Sequence, residues 1–363
     1  MMPRLDVDLS RSLVESPQGG HNRWHPDIEP ALRIRSGEVV TIATRDSFDG
    51  QITPAMTVAD LARIDFSRGH PLTGPIHVAG AEPGDLLAVE VLDVTTAGYG
   101  FTLTTPQMGF LRDIYPAACL VHWTIADRVA TSRDMPGLRL RAAPFMGVMG
   151  VAPSHEQMRR MLERETALLG DGGAVLPPEP RNAVPPRAAA GLRTLPPREN
   201  GGNLDIKQAV AGTTIYFPVA VDGALFSTGD AHFAQGDGEA CGCAVEVAAT
   251  LTARFSVLKG AARLANQTMP SLSRELPLPP SGPFHATTGT CITGTGRNLA
   301  EDVTQATRQA LANMIEHIRY RYGYSLEQAL VVANVAVDLR ISQIVNVPNM
   351  IVTAFLPTDI FNG

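Results

Sequence analysis

Thr213-Thr214-Ile215-Tyr216-Phe217-Pro218-Val219-Ala220-Val221-Asp222-Gly223-Ala224-Leu225-Phe226-Ser227-Thr228 is the stretch on which the fold class turns. Its first nine residues are rich in β-branched and aromatic types, which favour a pleated strand. Asp222-Gly223 is a strong turn signal, and Ala224–Thr228 reads as a strand returning from it. The expectation is a β-hairpin. The segment after it is Gly229-Asp230-Ala231-His232-Phe233-Ala234-Gln235-Gly236-Asp237-Gly238-Glu239. Carboxylates and an imidazole on so glycine-rich a backbone are the usual groups for proton transfer and for holding a divalent metal.

Outward from the hairpin the same texture continues. Leu86–Val94 reads as a strand entered by the turn Glu82-Pro83-Gly84-Asp85. Ala244–Val257 and Met350–Leu356 are further β-prone runs. Helices are fewer. Ser154-His155-Glu156-Gln157 and Ser325-Leu326-Glu327-Gln328 have the form of capping boxes, opening helices over Gln157–Leu169 and towards Ala333. Asp302–Tyr322 carries Ala306, Ala310, Leu311, Met314 and Ile318 at helical spacing. Residues 171–203 hold seven prolines and five glycines, so they read as a long loop. The predicted organisation is a β-rich part over 1–170, an active-site loop over 171–203 and a β-rich part with helices over 204–363. Together they are expected to form one intertwined catalytic unit.

Composition bounds the function. The 363 residues are 44% hydrophobic with a net charge of −6, as expected of a globular chain with a real core. No Lys/Arg run offers a phosphate-binding surface, so nucleic acid is not an expected partner. No apolar run approaches the ~20 residues of a membrane span. Acidic residues stand where a signal peptide would be apolar, which predicts a cytoplasmic location. Four cysteines are too few for a disulfide scaffold and fit a reducing compartment. Only Lys207 and Lys259 are lysine among 30 basic residues. Lys207 stands in Asn203-Leu204-Asp205-Ile206-Lys207, where a compact charge with a tunable pKa suits catalysis.

The hairpin, if formed, brings Asp205 and Asp230 to the same end of the sheet. Asp230 and His232 are two apart, so an extended segment presents both on one face, suited to gripping a metal. Asp237 and Glu239 repeat the spacing. His21-Asn22-Arg23-Trp24-His25-Pro26-Asp27 reads either as a site wall or as an N-terminal arm packed by Trp24. His155 reads as a first-turn helix residue, and His70, His77, His122, His285 and His317 as structural. Cys241-Gly242-Cys243 lacks the second pair that a Cys₄ zinc site needs. It reads as buried structural cysteine, with a nucleophile beside Lys207 and a Glu as the lesser reading.

These residues resemble the acetamidase/formamidase family. The matching pieces are His21–Pro30, Pro75–Asp93, Met149–His155, Pro196–Lys207, Gly229–Glu246 and Ile341–Pro348, in family order. The resemblance implies a mainly β (α+β) fold with barrel- and sandwich-like parts and a few peripheral helices. It also implies hydrolysis of short aliphatic amides such as formamide or acetamide to carboxylate and ammonia, with metal in some members. On that footing Asp205, Asp230, His232 and Glu239 are the expected ligands of a divalent metal, zinc with calcium as the alternative, and no organic cofactor is expected. Glu239, Asp237 and Lys207 are the expected catalytic groups, and His25, Asn203 and Gln235 the expected substrate contacts. A homodimer or larger homo-oligomer is expected. Two alternatives stay open: a C–N hydrolase of urea-like or cyclic amides, and a non-catalytic metal- or small-molecule-binding β protein.

Overall fold

The computed structural model describes residues 2–106, 108–173, 175–275, 282–345 and 347–361. Asn346 of the Ile341–Pro348 motif, and Ala174 of the long loop, therefore lie outside the described residues. The described chain is mainly β, with 35% strand against 18% helix, and its strands close no complete barrel. None of its helices is long and apolar enough to cross a membrane.

The main sheet is built on two long antiparallel neighbours, Leu86–Thr104 and Glu246–Leu258. Phe226–His232 joins next to Glu246–Leu258, then Phe145–Gly150, then Gly201–Asn203. Val39–Thr44 pairs with the other part of Glu246–Leu258, its burial alternating strictly along the strand. That alternation is the signature of one face on the core and one on a lesser layer. Behind these strands Phe226 meets Phe217 and Phe255 edge-on at 5.9 and 5.1 Å. Aromatic pairs of this geometry are worth about 0.5–1.5 kcal/mol each beyond their burial.

The expected hairpin does not form. Thr213–Pro218 is a strand, but it pairs with Leu86–Thr104 and Ser271–Arg274. Phe226–His232 instead lies between Phe145–Gly150 on one side and Leu72–Ala79 and Glu246–Leu258 on the other. Two local features separate them. Pro218 has no N–H to extend the ladder. After the turn, Ala224 and Leu225 take φ of 59° and 56°, which breaks the extended geometry a returning strand needs.

Helices form as their caps direct. Ser154 and Ser325 each complete a capping box, over His155–Gly170 and Leu326–Ala336. Asp302 caps Val303–Tyr322, which packs on a three-stranded antiparallel sheet of Phe284–Gly289, Ile351–Pro357 and Asp338–Gln343. The described residues of 171–203 are mostly irregular, with short pieces at Pro186–Ala188, Leu192–Arg193 and Gly201–Asn203.

The N-terminal arm is locked in by His21. Its Nδ1–H donates to Arg23 O at 2.8 Å, so Nε2 accepts from Ser227 Oγ at 2.7 Å. Burial holds this imidazole down at about 4, against an ordinary 6.5. Between those values the unfolded ring takes up a proton that the native ring refuses. His21 therefore costs the native state about 1.4 kcal/mol per pH unit as pH falls from 6.5 towards 4. Imidazole NMR on histidine-labelled protein should show one resonance, absent in His21→Asn, with its midpoint near 4. A midpoint at the ordinary value would rule this contribution out.

Candidate active site

Three sheet strands and one turn converge on a buried polar cluster. Asp230 and His232 come from Phe226–His232, and Asp230 Oδ1 lies 3.4 Å from His232 Nε2. The antiparallel register sets Glu246 directly opposite His232, with Glu246 Oε1 also 3.4 Å from Nε2. Asp205 follows Gly201–Asn203, held where its N–H and that of Leu204 both donate to Gly147 O. Glu239 arrives after the turn Asp237-Gly238, with Oε1 accepting the Ala244 N–H at 2.9 Å. Asp205, Asp230 and Glu239 have φ of 47°, 55° and 43°. Such sparsely populated backbone gathers where side chains must be aimed against local preference.

Two side chains outside the cluster hold it in shape. Gln235 Oε1 accepts from His232 Nδ1–H at 2.8 Å, and its Nε2 donates to Asp205 O at 2.8 Å. With Nδ1 so engaged, Nε2 is the nitrogen that faces the carboxylates. Asn334, fully buried on Leu326–Ala336, accepts from Cys241 N and donates to Cys243 O at 2.8 and 2.7 Å. Its own carbonyl accepts Gly236 N–H, so one helix residue pins both ends of the Glu239 loop.

The electrostatics follow from four carboxylates packed around one imidazole. Burial raises Asp205 well above the carboxylate range, and the neighbouring Glu239 raises it further. Burial likewise lifts Glu239, and lifts Glu246 to about 7. Asp230 goes the other way: burial opposes its charge, but His70 and His232 outweigh burial and hold it low. Burial also opposes charge on His232, yet Glu246 and Asp230 keep its pKa well above the ordinary value. Asp205 Oδ1, Asp230 Oδ1 and His232 Nε2 are all buried without a hydrogen-bond partner. Ligand atoms of these three residues lie within 4.8 Å of one another, as do those of His232, Glu239 and Glu246. Both groups can hold a metal ion.

A cavity of about 90 Å³ opens on the cluster. His70, Asn203, Asp230, Glu239 and Glu246 form its polar wall, while Phe48, Phe66, Met108 and Leu195 form its apolar wall. Asn203 Oδ1 is buried and unpartnered. Cys243 also lines this cavity, and burial keeps it and Cys241 as thiols.

The expected site residues divide among three places. Asp205, Asp230, His232 and Glu239 come together in the cluster, with Asn203 on its cavity wall. Lys207 and Asp237 line a larger neighbouring cavity of about 500 Å³, where Lys207 Nζ pairs with Asp338 and Asp237 accepts from Gln208 Nε2 at 3.0 Å. Gln235 lines that cavity too, and its bonds to His232 and Asp205 join the two spaces. His25 stands apart, beside Asp27 and His155. Asp237 and Glu239 do not share a face, because Gly238 at φ 88° turns the chain between them.

Two cluster residues escape a local reading of the sequence. Glu246 is a single carboxylate inside a β-prone run, and that oddity is the signal it offers. His70 stands between Gly69 and Pro71, in no cluster of candidate ligands. It arrives because Leu72 pairs with Gly229 across the sheet, which sets His70 Nδ1 3.5 Å from Asp230 Oδ2.

The model of the acetamidase/formamidase family matches residues 6–363. The chain belongs to that family. It is 35% identical to a formamidase of Methylophilus methylotrophus, covering 98% of this chain and 93% of the relative. It is also 35% identical to an acetamidase of Mycolicibacterium smegmatis, over 91% of this chain and 89% of the relative. Among solved structures it is similar to a gamma lactamase from Delftia acidovorans. That match has a TM-score of 0.93 and 36% identity, over 99% of this chain and 93% of the other. An acetamidase from Bacillus halodurans matches at TM-score 0.56 and 29% identity, over 93% and 95%. The family member described here is a hydrolase of linear amide C–N bonds.

Proposed function

We propose that this amidase hydrolyses formamide or acetamide to the carboxylate and ammonia at the Asp205–Asp230–His232–Glu239–Glu246 cluster, with a divalent metal, zinc, held there. The observation that carries the reading is the set of three buried ligand atoms, none with a hydrogen-bond partner, facing one another beside a cavity of about 90 Å³. Buried polar atoms are nearly always satisfied. Several carboxylates sharing one buried space need protons or a cation between them. One imidazole with carboxylate oxygens is a donor set that suits zinc. Calcium, which takes six to eight oxygens, fits less well.

When bound, such a cation supplies Lewis acidity to an amide carbonyl and acidifies a water. The chain's own residues supply the rest. Gln235 fixes the His232 ring with Nε2 inward. Glu239, its pKa raised by burial, takes the proton of the attacking water and returns it to the departing nitrogen. Asn203 Oδ1 is placed to accept the substrate's amide N–H. Phe48, Phe66, Met108 and Leu195 limit the acyl group, since about 90 Å³ is the share of roughly three waters. Lys207 and Asp237, in the neighbouring cavity, act through the Asp205–Lys207 segment and the Glu239 loop rather than on the amide itself.

A cyclic amide is the second reading, favoured by the close superposition with the gamma lactamase. The test is ammonia release from formamide and acetamide, alongside ring opening of 2-pyrrolidinone. Each is measured on as-purified, chelated and zinc-restored protein. The expected result is ammonia release that chelation abolishes and zinc restores. Turnover unchanged after elemental analysis shows the metal gone would overturn the metal role. Turnover confined to the lactam would overturn the substrate.

A further inference from the structure

A second cluster of metal-ligating side chains lies outside the amide site. His25 and Asp27 sit on the loop after the short strand Arg23–Trp24, and His155 opens the helix His155–Gly170. Imidazole nitrogens of the two histidines and a carboxylate oxygen of Asp27 lie within 4.8 Å of one another. None of the three lines the small cavity of the amide site. The two rings meet edge-on, with centroids 5.6 Å apart. The His25 side chain is mostly enclosed, at 13% exposure, while Asp27 and His155 are open to solvent.

We propose that His25, Asp27 and His155 form a surface site for a borderline divalent transition metal, such as Zn²⁺, Co²⁺ or Ni²⁺. Two imidazoles and one carboxylate are the donor set such ions favour, and magnesium and calcium do not. The donors come from both sides of a tertiary contact, so an ion there ties the N-terminal arm to the helix. Without metal the donors satisfy one another: His155 Nε2 bonds Asp27 Oδ1 at 2.9 Å, and Asp27 N–H donates to His25 Nδ1 at 3.1 Å. A metal ion takes the place of the proton between His155 and Asp27, leaving that proton on Nδ1 of His155, whose side chain is open to solvent. It also competes with one backbone N–H for His25. Both rearrangements are small, and the remaining ligand positions are filled by water. The nearby cation, Arg187, is paired with Glu29 at 3.8 Å.

The site is independent of amide hydrolysis, and its test does not read turnover. Co²⁺ is titrated into purified wild-type protein and into His155→Ala, with stoichiometry read by calorimetry and coordination by visible absorption. Wild type is expected to bind one more equivalent than His155→Ala. Ni²⁺ is expected to raise the wild-type unfolding temperature by several degrees more than that of the variant. Asp27→Asn, which keeps side-chain shape, should lose at least tenfold in affinity for the extra equivalent. Equal stoichiometry in wild type and His155→Ala would overturn the proposal. So would an extra equivalent that survives in both variants.

Discussion

Asp230→Asn lowers amide turnover by about a thousandfold, the scale set by removing a preorganised charge from an active site. Asp230 is the cluster carboxylate held in its charged form, flanked by His70 and His232. Its Oδ1 is one of the buried atoms without a hydrogen-bond partner. Asparagine keeps the shape and removes the charge, so the bound metal loses support. Removing one partner from a buried ionic group costs up to about 3–5 kcal/mol, so folding must be checked by circular dichroism and gel filtration. Asp230→Glu keeps the charge and displaces it by one methylene, and is expected to be nearly as inactive while folding normally. Metal per chain, by elemental analysis, should fall in both variants. Turnover within tenfold of wild type in either folded variant would remove Asp230 from the site.

What the sequence made legible was local, and what it hid was set by pairing across the sheet. Capping boxes at Ser154 and Ser325 fixed two helix starts, because a cap is a contact between residues three apart. Strand character at Leu86–Val94 and Ala244–Val257 was visible, but their true extents, Leu86–Thr104 and Glu246–Leu258, depend on each other. The juxtaposition of Asp205 with Asp230 was anticipated by the wrong route. The Thr213–Thr228 hairpin that was to deliver it is absent. Phe145–Gly150 does so instead, pairing with Gly201–Asn203 on one edge and Phe226–His232 on the other. Asp230 and His232 do lie together at the end of that strand, but Asp230 has φ of 55° and not the extended geometry the spacing of two assumes. The same spacing misled at Asp237 and Glu239, where a glycine turn intervenes. His70 and Glu246 owe their places to register alone, which no window of sequence contains.

Gly147→Ala is expected to disable the enzyme without unfolding it. Gly147 lies in Phe145–Gly150, directly under the two aspartates, and its carbonyl accepts the Leu204 and Asp205 N–H groups. A β-carbon added there would fall 2.6 Å from Asp205 Oδ1, 2.8 Å from Asp230 Oδ2 and 2.9 Å from Asp230 O. Those contacts are too close to persist, so the carboxylates must move apart. Gly147 is not among the residues with positive φ, so alanine meets no backbone penalty there. The strain therefore falls on the cluster carboxylates and on the Asp230 backbone carbonyl. A displacement of about 1 Å in a catalytic group can cost about a hundredfold in rate, and the same shift spoils the spacing of the metal ligands. We expect kcat/KM to fall by about a hundredfold or more and metal affinity to fall with it, while the metal-free protein stays folded with a lowered unfolding temperature. Gly170→Ala is the control, since a β-carbon there meets nothing within 4 Å. If Gly147→Ala matched that control in turnover and metal content, the aspartates would not be set by the close approach of this strand. The cluster would then have to be sought in a different packing of the same three segments.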